Sequence, residues 1–466
     1  MKRVTRRDFL QSAAWGAGAL AAGCGVQDKD ASTDETRTWE QPNVVLIMLD
    51  TLRADKLGCY GYPHDVSPAL DRIAERGVVF DQAVAQCTWT RPSCGSLLTG
   101  LYPRDVGLYK ERNEALSSRF DTLAKVLKAN GYNTFGATAN PNLNVLYNFH
   151  EGFDEYIESS VVFSWMDQDE DTEIRGKVSL PKAPELYSKA LDFARAHPEG
   201  PGYMQLNLME IHEWYVRDSY TMRRPEYNGL FEDTGERYPK YLQVTRQLTD
   251  DTGDFVEKLS ALPGWENTLF VLLSDHGEGL EDHPSVHKAK YHGRVLYESN
   301  AIVPWILYSP IWNPERPRIQ QPVRLLELMP TVLEYARVSA PKGMAGVSLM
   351  PLINGEVDRV ALPDRFILES HFRAPRLGVY DPAWKLFDNQ PPHPTVPRYG
   401  LQPWGGHEDG LKTDQSGQNP EETAKLRRYL DQWLEEHPKT PPTMPSRGLS
   451  DEERGQLEAI GYLGDD

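Results

Sequence analysis

Three stretches of this chain pass from apolar, β-branched residues straight into acids or histidines, and they constrain the fold more than anything else in the sequence. Asn43-Val44-Val45-Leu46-Ile47-Met48-Leu49 ends at Asp50; Thr268-Leu269-Phe270-Val271-Leu272-Leu273 runs through Ser274 into Asp275 and His276; Tyr203-Met204-Gln205-Leu206-Asn207-Leu208 leads through Met209-Glu210-Ile211 to His212. A continuous apolar run of this length fits a strand buried on both faces of a parallel sheet. In open α/β sheets ligands lie outside the carboxyl ends of the strands, so polar residues placed there converge on one site although far apart in sequence. A single acid after a strand is more often a turn or cap residue; three such ends together point to a site. Helical patterns lie between them, at 67–76, 122–130 (closed by Gly131) and 244–262. This alternation predicts a doubly wound, mostly parallel sheet flanked by helices.

At 466 residues and 39% hydrophobic content the chain can bury a large core. Its formal charge of −18 disfavours nucleic acid or any extended polyanion as a partner, because long-range repulsion opposes approach; no nucleic-acid partner is expected. A small anionic ester remains compatible if its pocket is locally positive. The N-terminus reads Thr5-Arg6-Arg7-Asp8-Phe9-Leu10 before a small-residue apolar run from Ala13 to Gly23. This layout resembles a twin-arginine export signal and is too short to span a bilayer. Leu20-Ala21-Ala22-Gly23-Cys24 resembles a lipobox, which implies lipidation of Cys24 and a periplasmic or cell-envelope lipoprotein held at the membrane by that anchor. The expected organisation is a signal at 1–24 and a polar tether at 25–41. Cys59, Cys87 and Cys94 remain, an odd number for an oxidising compartment; a Cys87–Cys94 bridge stays open.

From Pro42 onward the chain resembles the sulfatase family of the alkaline phosphatase superfamily. The segments that carry the resemblance appear in order: NVVLIMLDTLRADKLGCYGY, TRPSCGSLLTGLYP, ANGYNTFGATANPNL, EGFDEY, MEIHEWY, SDHGEGLEDH, YHGRVLYES, IVPWILYSP, MPTVLEYARV and GVSLMPLING. The resemblance implies a catalytic domain over 42–355 and a small C-terminal α+β subdomain over 356–466. In that subdomain, Phe366-Ile367-Leu368 and Trp384-Lys385-Leu386-Phe387 read as short strands, 424–436 as an amphipathic helix, and the end of the chain as a helix capped by Ser450 and Glu453.

Family sulfatases carry a C-x-P-S-R signature whose cysteine, occasionally serine, becomes formylglycine. Thr90 stands at that position here, and Cys94 stands at the arginine. The Cβ methyl of threonine prevents oxidation to an aldehyde, so no formylglycine is expected. A threonine hydroxyl on a divalent cation is a competent nucleophile. Thr90 also suits the cap of a helix beginning near Pro92-Ser93, which is itself a place for an ester anion. The ligands implied by the resemblance are Asp50, Thr90, Asp275 and His276 around one divalent ion. Thr51 replaces the second acid often found after the first, and the Asp-His pair favours manganese or zinc over calcium. His212 matches the histidine that faces the leaving group and His292 a second pocket histidine. Arg53, Arg91 and Lys290, with His287 and Lys288 nearby, are candidate anion-binding groups. Substrate choice is expected in the loops around Trp165, Trp214 and Trp404. These residues imply a metal-dependent sulfuric or phosphoric ester hydrolase acting through metal-bound Thr90 on a small anionic ester; the rivals are a phosphoglycerol-transferase-like phosphoryl transferase and an inactive sulfatase-shaped binding protein.

Overall fold

The computed structural model describes residues 41–109, 114–158, 180–214, 223–280, 282–284, 286, 291–372, 374–390, 398–406, 408–409 and 412–445. The export signal, Cys24, Trp165, His287, Lys288, Lys290 and the terminal helix predicted at Ser450 lie outside them. Within the described residues the strands are, in chain order, β1 (Asn43–Leu49), β2 (Val78–Phe80), β3 (Ala83–Val84), β4 (Asn133–Thr138), β5 (Glu155–Ile157), β6 (Gly202–Leu208), β7 (Thr268–Leu273) and β8 (Ile302–Val303). They continue with β9 (Trp305–Tyr308), β10 (Arg318–Ile319), β11 (Val323–Arg324), β12 (Phe366–Ser370), β13 (Arg376–Tyr380), β14 (Trp384–Asn389) and β15 (Tyr399–Pro403).

The main sheet has the order β10-β2-β9-β7-β1-β6-β4-β5. Neighbours β7, β1, β6, β4 and β5 all run parallel, and β9 runs antiparallel to both β7 and β2. The predicted mixed α/β architecture with a mostly parallel sheet is therefore what forms. The reason is visible in β1, whose seven residues are all buried. Val45, Ile47 and Leu49 face one core, shared with helices Pro68–Ala74, Ala183–Ala196 and Pro239–Ser260. Val44, Leu46 and Met48 face the other, shared with Thr90–Thr99, Leu123–Ala129 and Leu328–Tyr335. A strand covered on both faces must be apolar throughout, which is the pattern that its sequence shows.

Two helices differ in extent from the sequence reading. The helix predicted at 244–262 begins earlier, at Pro239, because Tyr241 and Leu242 extend its buried face and proline suits a first turn. The C-terminal helix likewise starts at Pro420 and not at 424. No helix among the described residues is long and apolar enough to cross a membrane.

Strands β12 to β15 form a consecutive antiparallel sheet. Ile367, Leu377, Val379, Leu386 and Leu401 pack against Leu426, Leu430 and Trp433 of the Pro420–Glu436 helix. Leu368, Tyr380 and Phe387 pack on Val295, Leu296 and Tyr297, just after His292. Hydrogen bonds from Ser370 Oγ to the Gly293 carbonyl (2.9 Å) and from Tyr380 Oη to the Leu296 carbonyl (2.6 Å) fix that segment further. The small sheet thus supports a stretch of the candidate site.

One buried ion pair ties this sheet to the rest. Arg104 donates through Nε and Nη2 to the two Glu369 oxygens, at 2.8 and 2.9 Å, with both residues buried, and His371 Nε2 lies 2.7 Å from Glu369 Oε1. Burial alone would raise the Glu369 carboxyl, but hydrogen bonds from His371 and Arg104 with their charges hold it down at about 2. Because this folded value lies below the ordinary one of 4.5, the stabilisation is present above pH 4.5 and is lost as pH falls toward 2. Arg104→Ala is expected to lower stability by about 3 kcal/mol at pH 7, since it strands a buried carboxylate. Urea unfolding checks this; the loss should shrink below pH 4, and a variant unchanged at pH 7 would contradict it.

Candidate active site

Strand ends build the site. Asp50 follows β1, Asp275 and His276 follow β7, and His212 lies four residues beyond β6. Since β7, β1 and β6 are parallel neighbours, their carboxyl ends share one edge. Asp50, Asp275 and His276 are fully buried and each offers a ligand atom within 4.8 Å of the others'. His276 Nε2 lies 3.7 Å from Asp50 Oδ1 and 3.4 Å from Asp275 Oδ2.

Thr90 opens the fully buried helix Thr90–Thr99, and its Oγ1 is 3.3 Å from His276 Nε2. The cap residue is Trp89, so Thr90 is the first helical residue and not the cap, and the helix starts ahead of the predicted Pro92-Ser93. Freed from capping, the hydroxyl turns to the acidic cluster. Ser93 Oγ donates to the Asp275 carbonyl at 2.6 Å, fastening this helix to the β7 loop. Cys94, one turn further, places Sγ 3.9 Å from Asp275 Oδ2. Cys87 and Cys94 are both unpaired, so the bridge left open by the sequence does not form.

The group passes a chemical test for a divalent cation. Asp50 Oδ1 and Asp275 Oδ1 are buried without a hydrogen-bond partner. Such orphaned anionic oxygens are costly unless a cation satisfies them. Burial, then the charge of Asp275, pushes the Asp50 carboxyl up to about 6, which is the repulsion that a cation would relieve. His276 Nδ1 lies 3.0 Å from the Gly277 carbonyl; a carbonyl only accepts, so Nδ1 donates there and Nε2 is the ring nitrogen that faces the cluster. Two carboxylates and an imidazole make a borderline donor set. Thr51, at the second-acid position, donates its hydroxyl to the Asp50 carbonyl at 2.6 Å and adopts φ 61°, a strained conformation for a β-branched residue.

Histidines line the adjoining space. The ring of His292 lies 4.6 Å from His276 and 4.9 Å from His212, centroid to centroid. His212 Nδ1 donates to Glu213 Oε1 at 2.9 Å. Burial would lower His212, but Glu213, Asp50 and Glu278 outweigh it and push it up to about 9. His292 goes the other way, down to about 3, through burial and the neighbouring His212 charge. Such opposed environments separate an acid from a base.

The arginines are engaged elsewhere. Arg53 donates to both Asp55 oxygens at 2.8 and 2.7 Å, pairs with Asp282 at 2.6 Å and bonds the Glu278 carbonyl at 3.1 Å. It thereby clips the loop after β1 to the loop after β7. Arg91 lies 3.5 Å over the Tyr147 ring and donates to Asn142 Oδ1 at 2.8 Å. Trp214 is buried against Tyr238 and Tyr241, whereas Trp404 lines a cavity of about 500 Å³ with Arg53, Asp282 and Glu408.

Sequence reasoning missed two residues. Asn140, fully buried just beyond β4, donates through Nδ2 to Asp50 Oδ2 (2.5 Å) and Thr90 Oγ1 (3.2 Å). Glu278, also fully buried, has Oε2 3.4 Å from His292 Nδ1, and burial pushes its carboxyl up to about 7. The position of Asn140 after a fourth parallel strand was the available signal; Glu278 gave only its closeness to His276.

This geometry has relatives. A Delta 4,5-hexuronate-2-O-sulfatase of Bacteroides thetaiotaomicron is 22% identical over 365 residues, 70% of this chain and 74% of its own. An arylsulfatase of Clostridium perfringens is 23% identical over 382 residues, 67% of this chain and 78% of its own. Among solved structures, the phosphonate monoester hydrolase of Silicibacter pomeroyi superposes with a TM-score of 0.64 at 17% identity, covering 86% of this chain and 96% of that one. The Sulfatase family model matches residues 42–338, a span holding every strand end that feeds the cluster; the chain belongs to the sulfatase family, within the alkaline phosphatase superfamily.

Proposed function

We propose that this chain is a divalent-metal-dependent hydrolase of sulfate or phosphate esters with Thr90 as its nucleophile. The observation that carries the reading is the Thr90 hydroxyl, buried at a helix start, 3.3 Å from His276 Nε2 and beside an acidic pair with orphaned oxygens. Sulfatase relatives and a phosphonate monoester hydrolase of similar fold support ester hydrolysis at such a site. Threonine favours phosphorus, because an alkoxide attacks a phosphoryl centre directly while sulfate turnover ordinarily draws on the formylglycine hydrate.

Asp50, Asp275 and His276, with Thr90, would hold the ion. When bound, it supplies Lewis acidity, neutralising ester charge and making the adjoining hydroxyl more acidic. Thr90 Oγ1 then gives its proton to water in the pocket and bonds to the phosphorus or sulfur while the bond to the leaving oxygen breaks. His212, kept protonated by Glu213, gives that oxygen its proton. His292, kept neutral, takes a proton from the water that releases the group and passes it to Thr90 Oγ1 as that bond breaks. The N-terminal stretch would deliver the protein to the cell envelope, anchored through Cys24.

The test is turnover of an aryl sulfate, a phosphate monoester and a phosphodiester by protein stripped with a chelator and reloaded with manganese or zinc. Turnover is expected on at least one ester, fastest on a phosphorus ester, and to vanish on stripping. Turnover only when an acceptor alcohol is added would mean a transferase; no turnover with stoichiometric metal bound would mean a binding protein.

A further inference from the structure

The contacts around Asn140 fix its amide unambiguously. Asn140 Oδ1 accepts from the Asn142 backbone N–H at 2.9 Å, so the group directed at the cluster is the NH2. Its two hydrogens go to Asp50 Oδ2 at 2.5 Å and Thr90 Oγ1 at 3.2 Å. The Thr90 oxygen therefore accepts on that side, and its single proton must point elsewhere. His276 Nε2 lies 3.3 Å from the same oxygen.

This arrangement is backed from behind. The Asn140 backbone N–H donates to Thr138 Oγ1 at 3.0 Å as the chain leaves β4. Asn142, whose N–H holds the amide, is held by Arg91 Nη2 at 2.8 Å, and Arg91 in turn lies 3.5 Å over the Tyr147 ring. Asn140, Asn142, Thr90, Arg91 and Tyr147 are all buried, so none of these bonds is diluted by water.

We propose that Asn140 is the positioning residue of the nucleophile, a neutral donor that orients Thr90 Oγ1 and stabilises negative charge on it as the proton leaves. This rests on the assignment of Thr90 above. Neutrality matters, because a donor without charge can sit against Asp50 and support the Thr90 oxygen without competing with a cation for the carboxylates. It also gives Arg91 a part in the site as the far end of the chain of bonds that sets the amide.

The experiment compares wild type, Asn140→Asp, Asn140→Ala and Thr90→Ala on the best ester. Asn140→Asp keeps the shape and the acceptor for Asn142 but removes the donor. It is expected to lose about 100-fold in kcat, the scale of deleting one donor to a developing oxyanion, with KM within threefold and a lower thermal midpoint in the metal-free protein, since the new carboxylate faces Asp50. Asn140→Ala should match it in kcat, which separates loss of the donor from any effect of the new carboxylate. If both Asn140 variants keep kcat within threefold while Thr90→Ala is inactive, the positioning role is overturned and the nucleophile stands. If Thr90→Ala itself keeps full turnover, the nucleophile assignment falls and the role of Asn140 with it.

Discussion

Thr90→Ala is expected to lose at least about 1,000-fold in kcat on every ester the protein hydrolyses, while Thr90→Ser keeps turnover within about 30-fold. Alanine removes the hydroxyl that lies 3.3 Å from His276 Nε2 at the start of the Thr90–Thr99 helix. Serine restores the oxygen and loses only the methyl that restricts χ1. Asp50, Asp275 and His276 remain in both variants, so the ion should still bind at saturating concentration, more weakly in the alanine variant, and elemental analysis of each variant is the control. Wild type quenched during turnover should carry the transferred group on Thr90, read as a mass increase of the peptide containing it. Equal turnover by the alanine variant with unchanged metal would place the nucleophile elsewhere.

Asp50→Asn is expected to separate metal dependence from folding stability. In the metal-free protein Asp50 has its folded carboxyl at about 6, against an ordinary 3.8, through burial and Asp275. A raised carboxyl value means the folded state is penalised once the group ionises. Stability of the metal-free wild type therefore falls as pH rises from 3.8 to 6 and stays lower above that, by up to about 3 kcal/mol. Asparagine removes this penalty and can still pair with Asn140 through its own oxygen, so metal-free Asp50→Asn should unfold at higher temperature than metal-free wild type at pH 7.5. Saturating manganese or zinc should reverse the ranking: a thousandfold excess over Kd adds about 4 kcal/mol to wild type and little to the variant. Activity should vanish in the variant throughout. A wild type whose thermal midpoint ignores both metal and pH would refute the assignment of this cluster.

How much of this was legible beforehand depended on the range of the interaction. The strand ends at Asp50, Asp275 and His276 could be read because a doubly covered parallel strand must be apolar along its whole length, as β1 and β7 are. The Thr122 cap was equally local, its Oγ1 accepting from Lys125 N at 3.3 Å. Arg53 and Arg91 were different. A cation can answer to partners anywhere in the molecule: Arg53 finds Asp282 in the loop after β7, and Arg91 finds Asn142 and the Tyr147 ring. Asn140 left an ambiguous signal, since a polar residue after a strand suits a turn as well as a site; only the parallel pairing of β4 with β6 brings it to the carboxyl edge. The start of the Thr90–Thr99 helix was misplaced because capping preference pointed to Thr90, whereas Trp89 occupies that position and releases the threonine side chain.

The place of β1 in the sheet has a kinetic consequence. Hydrogen-bonded along its length to β6 on one side and β7 on the other, and buried throughout, it has no edge from which to fray. Its amides should be among the slowest in the molecule to exchange with deuterium, opening only when the whole unit unfolds. Asp50 rides on the end of that strand, so its carboxylate holds its place whether or not an ion is present. Metal can then enter and leave without any segment having to fold around it, and the rate of loading is governed by the passage of the ion through the pocket and the shedding of its water.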